Sequence, residues 1–201
     1  MNPEQSRQEQ FIGYAEALRE RFAEGVLSEL QDLPQWVVWR GELEERKPKK
    51  VPYNPQYYHM APMQPRASVK IPKSWGSLDQ ALTALESGNY SGLGFMLTPP
   101  LVMIDLDHSY DSSTGAITDP QAAAIVQSLN SYTEFSPSGT GLHILAYGQL
   151  PGKGIHTAVE LYGQDRFTTI TTDHIAQEHP QPLSTAQKQY THSIIALHHQ
   201  S

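Results

Sequence analysis

Two aspartates one residue apart, Asp105 and Asp107, lie in the segment Val-Met-Ile-Asp-Leu-Asp-His (102–108). In a β-strand successive side chains point to opposite faces, so the apolar residues of this segment face a core and both carboxylates face the other side. Parallel carboxylates repel each other unless a cation lies between them, and hard divalent cations prefer oxygen ligands. The spacing therefore predicts a platform for one or two divalent metal ions. The alternative interpretation is a strand that ends in an acidic turn.

A run of small residues, Ser-Pro-Ser-Gly-Thr-Gly (136–141), comes directly before a strand that carries His143. Glycine lets the backbone approach a ligand and present its N–H groups, which suits a phosphate. An imidazole on the strand can donate a hydrogen bond to a phosphate oxygen. The candidate phosphate-binding residues are Ser136, Ser138, Gly139, Thr140, Gly141 and His143. An ordinary turn followed by a structural histidine is the alternative.

A third acid, Glu160, lies in Val-Glu-Leu-Tyr (159–162), which is typical of a strand. A carboxylate on an internal strand is costly to desolvate without a partner, so it is a candidate third metal ligand. Arg166 follows in Asp-Arg-Phe-Thr-Thr-Ile, and its planar guanidinium suits a triphosphate. A salt bridge between Glu160 and Arg166 is the alternative for both residues. Together, the three acids, the turn, the histidine and the arginine meet the needs of phosphoryl or nucleotidyl transfer.

The elements that must position these residues follow from the hydrophobic pattern. Three- and four-residue apolar spacing predicts a helix over 4–31, with Gly25 as a break. Ser74 or Ser77 is expected to cap a second helix, and Asp119-Pro120 to begin a third. The predicted strands are 35–40, 93–97, 101–107, 132–135, 142–147, 158–162 and 167–171. Prolines at six positions of 41–73 predict an irregular segment there, and residues from 176 onward are expected to form a polar tail with a short helix near 193–197.

The amino-acid composition limits the classes of function that the chain can have. The chain has 201 residues, 38% of them hydrophobic, a net charge of -7 and no cysteine. Disulfide frameworks, thiol nucleophiles and cysteine-ligated zinc or iron–sulfur centres are therefore excluded. An apolar run of about 18 residues and a secretory signal are both lacking, so we expect a soluble, cytoplasmic protein without a membrane partner.

The charge is unevenly distributed. Residues 40–73 hold eight Lys and Arg against three acids, a local net charge of +5, whereas residues 74–201 carry -8. A basic segment beside an acidic centre suits a polyanion that cations bridge to a site. The candidate nucleic-acid contacts are Lys47, Lys49, Lys50 and Lys73. A solvated, lysine-rich loop is the alternative.

In their order along the chain, these motifs resemble the archaeo-eukaryotic primase superfamily. The chain is most similar to the prim-pol (bifunctional DNA primase/polymerase N-terminal) domains of phage, plasmid and other mobile-element replication proteins. The resemblance rests on Ile-Asp-Leu-Asp-His (104–108), Ser-Pro-Ser-Gly-Thr-Gly-Leu-His (136–143) and Val-Glu-Leu-Tyr (159–162), and it covers roughly residues 33–173. Flanking matches are Trp-Val-Val-Trp-Arg (36–40), Lys-Val-Pro-Tyr (50–53), Trp-Gly-Ser-Leu (75–78) and Gly-Leu-Gly-Phe (92–95).

The resemblance implies an α+β fold, in which an RNA-recognition-motif-like antiparallel sheet packs with an N-terminal α/β unit around a cleft, preceded by an N-terminal helix. The implied organisation is a helical segment (1–32), a catalytic domain (33–175) and a polar tail or short helix (176–201). Asp105, Asp107 and Glu160 would bind two Mg²⁺ or Mn²⁺ ions. His143, Arg166 and the 136–141 turn would hold the phosphates of the incoming nucleotide.

The resemblance also implies a DNA primase and/or polymerase that uses (d)NTPs on a DNA template or primer. It suggests a replicative helicase or a larger fused replication protein as a partner. Two other classes remain open. One is a catalytically inactive module that binds nucleic acid or nucleotide during replication. The other is a metal-dependent phosphatase of the haloacid-dehalogenase type, although His108-Ser109 after the second aspartate departs from that pattern.

Overall fold

The computed structural model describes residues 3–60, 63–149, 159–185, 187 and 189. In chain order its helices are α1 (Pro3–Ala23), α2 (Ser28–Gln31), α3 (Leu78–Glu86) and α4 (Pro120–Leu129). Its strands are β1 (Trp36–Glu44), β2 (Lys47–Tyr53), β3 (Gly92–Met96), β4 (Leu101–Leu106), β5 (Tyr110–Asp111), β6 (Ala116–Ile117), β7 (Tyr132–Phe135), β8 (Leu142–Tyr147), β9 (Val159–Tyr162), β10 (Phe167–Ile170), β11 (His174–Ala176) and β12 (Gln181–Pro182). The expectation of an α+β chain with antiparallel pairing is confirmed.

The chain divides into two compact units. The first unit comprises Met1–Met96 and Phe167–Ile170, and the second comprises Leu97–Arg166 and Thr171–Ser201. The boundaries expected at 32/33 and 175/176 stay predictions. Within the part of the chain that the structure describes, no helix has the length and apolar character needed to cross a bilayer.

The helical start of the first unit is interrupted where the sequence predicts a break. Gly25 has φ of 105° and Leu27 has φ of 52°, both in the left-handed region, so the helix expected over 4–31 becomes α1 and the short α2. Apolar side chains of both helices are buried, and so is Trp36. The Trp36 indole N–H donates to the Leu30 carbonyl at 3.0 Å, and Phe22 meets the indole ring edge-on.

The sheet of the first unit has the order β10-β3-β1-β2 and is antiparallel throughout. Its helix α3 begins at a capping box, in which the Ser77 hydroxyl accepts from the Gln80 amide and the Gln80 side chain accepts from the Ser77 amide. The Ser77 alternative for the cap is therefore the correct one.

The expectation that residues 41–73 lack regular structure was wrong for the first third of this segment. Residues Trp36–Glu44 and Lys47–Tyr53 form a long β-hairpin, in which Leu43 pairs with Pro48 and Trp39 with Pro52. Two prolines fit because β2 is an edge strand, where a missing backbone donor breaks no ladder on the outer side. Beyond the hairpin, the described residues of this segment form the 3₁₀ turns Pro55–Met60 and Pro72–Ser74 and an isolated bridge between Tyr53 and Arg66.

The second unit contains the main sheet, in the order β11-β7-β8-β4-β9, and β12 runs parallel to β8. Helix α4 connects β4 to β7, and β8 lies between these two strands, which is a split β-α-β arrangement. Asp119 caps α4 by accepting from the Gln121 amide, and Asn130 ends the helix in the left-handed conformation. The predicted start of this helix is confirmed.

One face of this sheet is the apolar core of the unit. The α4 residues Ala122, Ile125 and Leu129 are buried there with side chains from β4, β8 and β9. The alternation predicted for 102–106 is confirmed, because Val102, Ile104 and Leu106 all belong to this cluster. The charged residues of the same strands must therefore lie on the opposite face.

The segment expected to form a polar tail from 176 contains strand residues at its start, and the tail itself stays a prediction. Residues His174–Ala176 pair with β7, and Gln181–Pro182 pair with β8, so both segments extend the sheet. These strands are three and two residues long, too short for an alternating apolar pattern to show in the sequence. The short helix expected near 193–197 lies outside the described residues.

Candidate active site

Titratable side chains from four adjacent strands form one row across the sheet of the second unit. Asp105 of β4 pairs with His143 of β8 on one side and with Glu160 of β9 on the other. His143 in turn pairs with Glu134 of β7. Because directly opposed residues on neighbouring strands project from the same face, all four side chains share the face away from α4. The pairing thus brings together three of the residues that the sequence predicts for the site.

His143 lies between two carboxylates. Its Nε2 is 3.8 Å from Asp105 Oδ1, and its Nδ1 is 3.6 Å from Glu134 Oε1. The His143 side chain is only 4% exposed and Glu134 is 0% exposed, whereas Asp105 is 20% exposed. The row therefore runs from a fully buried end at β7 to a partly solvated end at β4.

Glu134 is the residue that sequence reasoning missed. Its Oε2 accepts three hydrogen bonds, from the Tyr132 hydroxyl at 2.8 Å, the Thr171 amide at 3.0 Å and the Thr172 amide at 2.9 Å. These bonds offset the large cost of desolvating a carboxylate. A signal was present, since an acid in the middle of the apolar strand Tyr-Thr-Glu-Phe meets the same argument that singled out Glu160.

A second row on the same face, two residues along each strand, is apolar and includes two tyrosines. Its members, in sheet order, are Tyr132, Leu145, Met103 and Tyr162. The Tyr132 hydroxyl donates to Glu134, and the Tyr162 hydroxyl donates to Glu160 Oε2. Burial, together with the neighbouring Glu160 carboxylate, raises the pKa of Tyr162. The two end carboxylates of the first row are thus each held by a tyrosine of the second row.

Asp107 lies just past the end of β4 and is exposed. The chain turns at His108, which has φ of 52°. The 136–141 turn lies against this strand end, because a Cβ built on Gly141 would be 2.9 Å from the Leu106 carbonyl oxygen and 3.6 Å from Asp107 Cα. Glycine is required at 141 by this close approach. The predicted phosphate turn and the second aspartate are therefore neighbours.

The 136–141 turn contains a short chain of hydroxyls. The Ser136 and Ser138 hydroxyls are 2.9 Å apart, and those of Ser138 and Thr140 are 3.0 Å apart. The turn is closed by bonds from the Ser136 amide to the Gly141 carbonyl and from the Gly139 amide to the Ser136 carbonyl, both at 2.9 Å. Gly139 has φ of 73°, which a glycine adopts without strain. Phosphate binding by this turn stays a prediction.

Arg166 is exposed, and its guanidinium carbon lies 4.6 Å from the centroid of the Tyr162 ring. This is a cation–π contact. Tyr162 also donates to Glu160, so one tyrosine contacts both the predicted third metal ligand and the predicted phosphate-binding arginine. The structure brings Arg166 and Glu160 to the same tyrosine.

The donor chemistry of the site fits a hard divalent cation, since Asp105, Asp107 and Glu160 offer carboxylate oxygens from adjoining parts of one sheet. Among the described residues, however, no group of three or more His, Asp or Glu side chains is arranged to enclose a metal ion. Glu160 is held by the Tyr162 hydroxyl.

The basic residues predicted to contact nucleic acid lie in the first unit and are exposed. Lys47, Lys49 and Lys50 are on β2, and Lys73 is in the 3₁₀ turn Pro72–Ser74. Lys49 Nζ is 2.6 Å from Glu44 Oε2, and Lys50 Nζ is 5.8 Å from the centroid of the Trp39 ring. Nucleic-acid binding by these lysines stays a prediction.

The acids of the β1–β2 hairpin neutralise part of its positive charge. Arg66 forms ion pairs with Glu42 at 2.6 Å and with Glu44 at 3.1 Å, and Arg40 pairs with Glu42 at 2.9 Å. The Tyr53 hydroxyl and Arg40 both lower the pKa of Glu42, with the hydroxyl making the larger contribution. The three hairpin lysines named above and Lys73 are exposed.

The chain is similar in sequence to a known phage protein. No protein-family model matches the chain. A DNA primase-polymerase of Nitratiruptor phage NrS-1 is 38% identical to it over 146 residues, which cover 68% of this chain and 19% of the phage protein. The matched part thus spans about one-fifth of the length of the phage protein. Over about two-thirds of its own length, this chain is related to a phage primase-polymerase.

Proposed function

We propose that this chain is the catalytic part of a template-directed nucleotidyltransferase, a DNA primase and/or DNA polymerase that adds (d)NTPs during replication of a phage, plasmid or other mobile element. The observation that carries the proposal is the cross-strand register of Asp105 with both His143 and Glu160, beside a glycine-containing turn. The 38% identity to a phage DNA primase-polymerase supports it independently.

In this proposal Asp105, Asp107 and Glu160 hold Mg²⁺ or Mn²⁺. When bound, such ions lower the pKa of a coordinated hydroxyl and stabilise the charge that develops on phosphate oxygens. When no cation is bound, the carboxylates repel phosphate, so nucleotide binding at this face is expected to depend on divalent metal.

The reaction itself is a displacement at phosphorus. The 3′-hydroxyl oxygen of a primer forms a bond to the α-phosphorus of the nucleotide and its proton passes to water, while the bond from that phosphorus to the bridging oxygen breaks and pyrophosphate leaves with the electron pair. In this proposal His143 Nε2, which lies 3.8 Å from Asp105 Oδ1, contacts a phosphate oxygen. Ser136, Ser138, Gly139, Thr140 and Gly141 are proposed to hold the phosphate tail, chiefly through the three hydroxyls, because the Ser136 and Gly139 amides already close the turn. Arg166 offers its guanidinium to the same tail.

The proposed partners are a DNA template or primer and a (d)NTP. Lys47, Lys49, Lys50 and Lys73 are proposed to contact the nucleic-acid backbone, with residues 33–175 forming the catalytic domain. A replicative helicase or a larger replication protein is the proposed further partner, because the matched phage protein is about five times longer than the matched segment.

One observation favours a second candidate, a replication module that binds nucleic acid or nucleotide without chemistry. The carboxylates of the described residues are not gathered around a metal position, and Glu160 is bound to Tyr162. This candidate expects template binding that is indifferent to divalent metal. It also expects no nucleotide incorporation with either Mg²⁺ or Mn²⁺.

The test is extension of a primed template, and synthesis on single-stranded DNA, by the wild-type chain and by the Asp105→Asn/Asp107→Asn double variant. We expect the double variant to lose incorporation by at least about 100-fold while it stays folded, because the substitutions remove charge without changing side-chain size. The matched control is Asp32→Asn, an exposed aspartate that follows α2 and that we expect to be neutral. Normal incorporation by the double variant refutes the assignment of these acids.

A further inference from the structure

The buried carboxylate Glu134 has no part in the function proposed so far, although it belongs to the same row of side chains. It is fully buried in the described structure, on a strand next to the one that carries His143. A fully buried carboxylate is costly unless its oxygens find donors. The partners of its two oxygens therefore show what the residue does.

The two oxygens of Glu134 have separate surroundings. Oε2 accepts from the Thr171 amide, the Thr172 amide and the Tyr132 hydroxyl, at 2.8 to 3.0 Å. Oε1 has no hydrogen bond of normal length within the described residues, and it faces His143 Nδ1 at 3.6 Å. Since two backbone N–H groups fix Oε2 in place, Oε1 is held toward the imidazole.

We propose that Glu134 is a positioning residue for His143: it keeps a proton on Nδ1 and so directs Nε2 toward the Asp105 side of the sheet. A carboxylate can only accept, so the ring nitrogen that faces it must donate. Nε2 then points toward the Asp105 side of the sheet, as a carboxylate partner orients the ring of many functional histidines. The inference about the ring stands on Glu134 and His143 alone, and its catalytic consequence rests on the proposed function.

Glu134→Gln gives a specific outcome because the backbone dictates how the new amide must lie. The Thr171 and Thr172 N–H groups require the amide oxygen in the place of Oε2. The NH₂ group must then face His143 Nδ1, which has to become an acceptor and give up its proton. We expect Nδ1 to lose its proton or the ring to rotate away.

The alternative is that Glu134 serves only to anchor the backbone at 171 and 172. Thr172 has φ of 58° and is buried, so this segment does need support. Tyr132→Phe is the matched control, because it removes one hydrogen bond from the same Oε2 and leaves the side of the carboxylate that faces His143 intact. A purely structural role predicts that both variants lose similar stability and that neither changes the ring.

The experiment is ¹⁵N NMR of the histidine side chains in the metal-free, nucleotide-free protein, with the His143 signals assigned by their loss in His143→Asn. We expect a protonated Nδ1 in wild type and in Tyr132→Phe, and an unprotonated Nδ1 or a displaced ring in Glu134→Gln. An unprotonated Nδ1 in wild type overturns the proposal, even if Glu134→Gln fails to fold. An unchanged ring in a folded Glu134→Gln also overturns it.

Primer extension separates this inference from the proposed function. If the chain polymerises nucleotides, we expect Glu134→Gln to lower kcat/KM for the incoming nucleotide by about 10- to 100-fold. If the NMR result is as expected but wild type incorporates nothing, the proposed function fails and the role of Glu134 toward His143 stands. If wild type is active and Glu134→Gln is equally active, the positioning has no catalytic consequence and that part of the proposal fails.

Discussion

Substituting Gly141 with alanine tests the contact between the 136–141 turn and the end of β4. A Cβ at this position would lie 2.9 Å from the Leu106 carbonyl oxygen and 3.2 Å from Ser136 Oγ. Ordinary van der Waals contact begins at about 3.4 Å, so the strand end and the turn must separate by about half an ångström. The Leu106 carbonyl cannot simply turn away, because it also accepts from the Ser109 hydroxyl at 2.8 Å.

Overpacking of this kind costs about 1–3 kcal/mol. Gly13→Ala is the matched control, because the same methyl group on α1 meets nothing within 4 Å. Alanine in an open helical position stabilises by roughly 0.5–1 kcal/mol, so the two identical substitutions are expected to have opposite signs.

The assay is hydrogen exchange of backbone amides, which reports stability separately for each part of the chain. We expect Gly141→Ala to speed exchange in β4 and β8, and Gly13→Ala to leave these strands unchanged. In the same preparation we expect Gly141→Ala to weaken nucleotide-dependent activity, because Asp107 and the turn are displaced from each other. A Gly141→Ala protein whose β4 and β8 amides exchange at wild-type rates would refute the close approach.

Two further predictions concern stability. Burial raises the pKa of Tyr90 to about 12, above the value of about 10 of an unfolded tyrosine, so its contribution to stability is present below pH 10 and is lost as the pH rises through 12. Urea unfolding from pH 9 to 12 should therefore show a steeper fall in the free energy of unfolding for wild type than for Tyr90→Phe, and parallel curves would contradict the assignment. Asp119→Ala removes the cap of α4 and should lower the free energy of unfolding by about 1 kcal/mol, whereas Asp119→Ser should restore most of it; equal loss in both variants would show that the cap is not the cause.

Much of the site can be predicted from local sequence, because side chains along a β-strand alternate between the two faces of the sheet with a period of two residues. The pattern of 102–107 places Asp105 opposite a core face, and the structure confirms this for β4. The 136–141 turn joins two adjacent strands, so counting outward from it pairs Phe135 with Leu142 and Glu134 with His143, as observed. Glu134 was therefore within reach of the sequence, once the turn was taken as the end of a hairpin.

Other parts of the site depend on tertiary pairing that no local pattern contains. Nothing in the segments themselves places β4 between β8 and β9, yet this order puts Asp105 level with both His143 and Glu160. The β1–β2 hairpin was missed because prolines argue against a strand in general. They are tolerated at Pro48 and Pro52 only because β2 has a neighbour on one side, which is a property of the whole sheet.

Strand β10 has a consequence for how this chain can be divided or recombined. The polypeptide leaves the first unit after Met96, returns for the four residues Phe167–Ile170 to pair with β3, and departs again. A fragment that ends between Met96 and Phe167 would lack β10, so one edge of β3 (Gly92–Met96) would be free to pair with another molecule and aggregate. The remaining fragment would contain β10 without β3, the strand with which β10 pairs. Genetic exchange at a single breakpoint therefore cannot transfer either unit whole, and the two are expected to be inherited and expressed together.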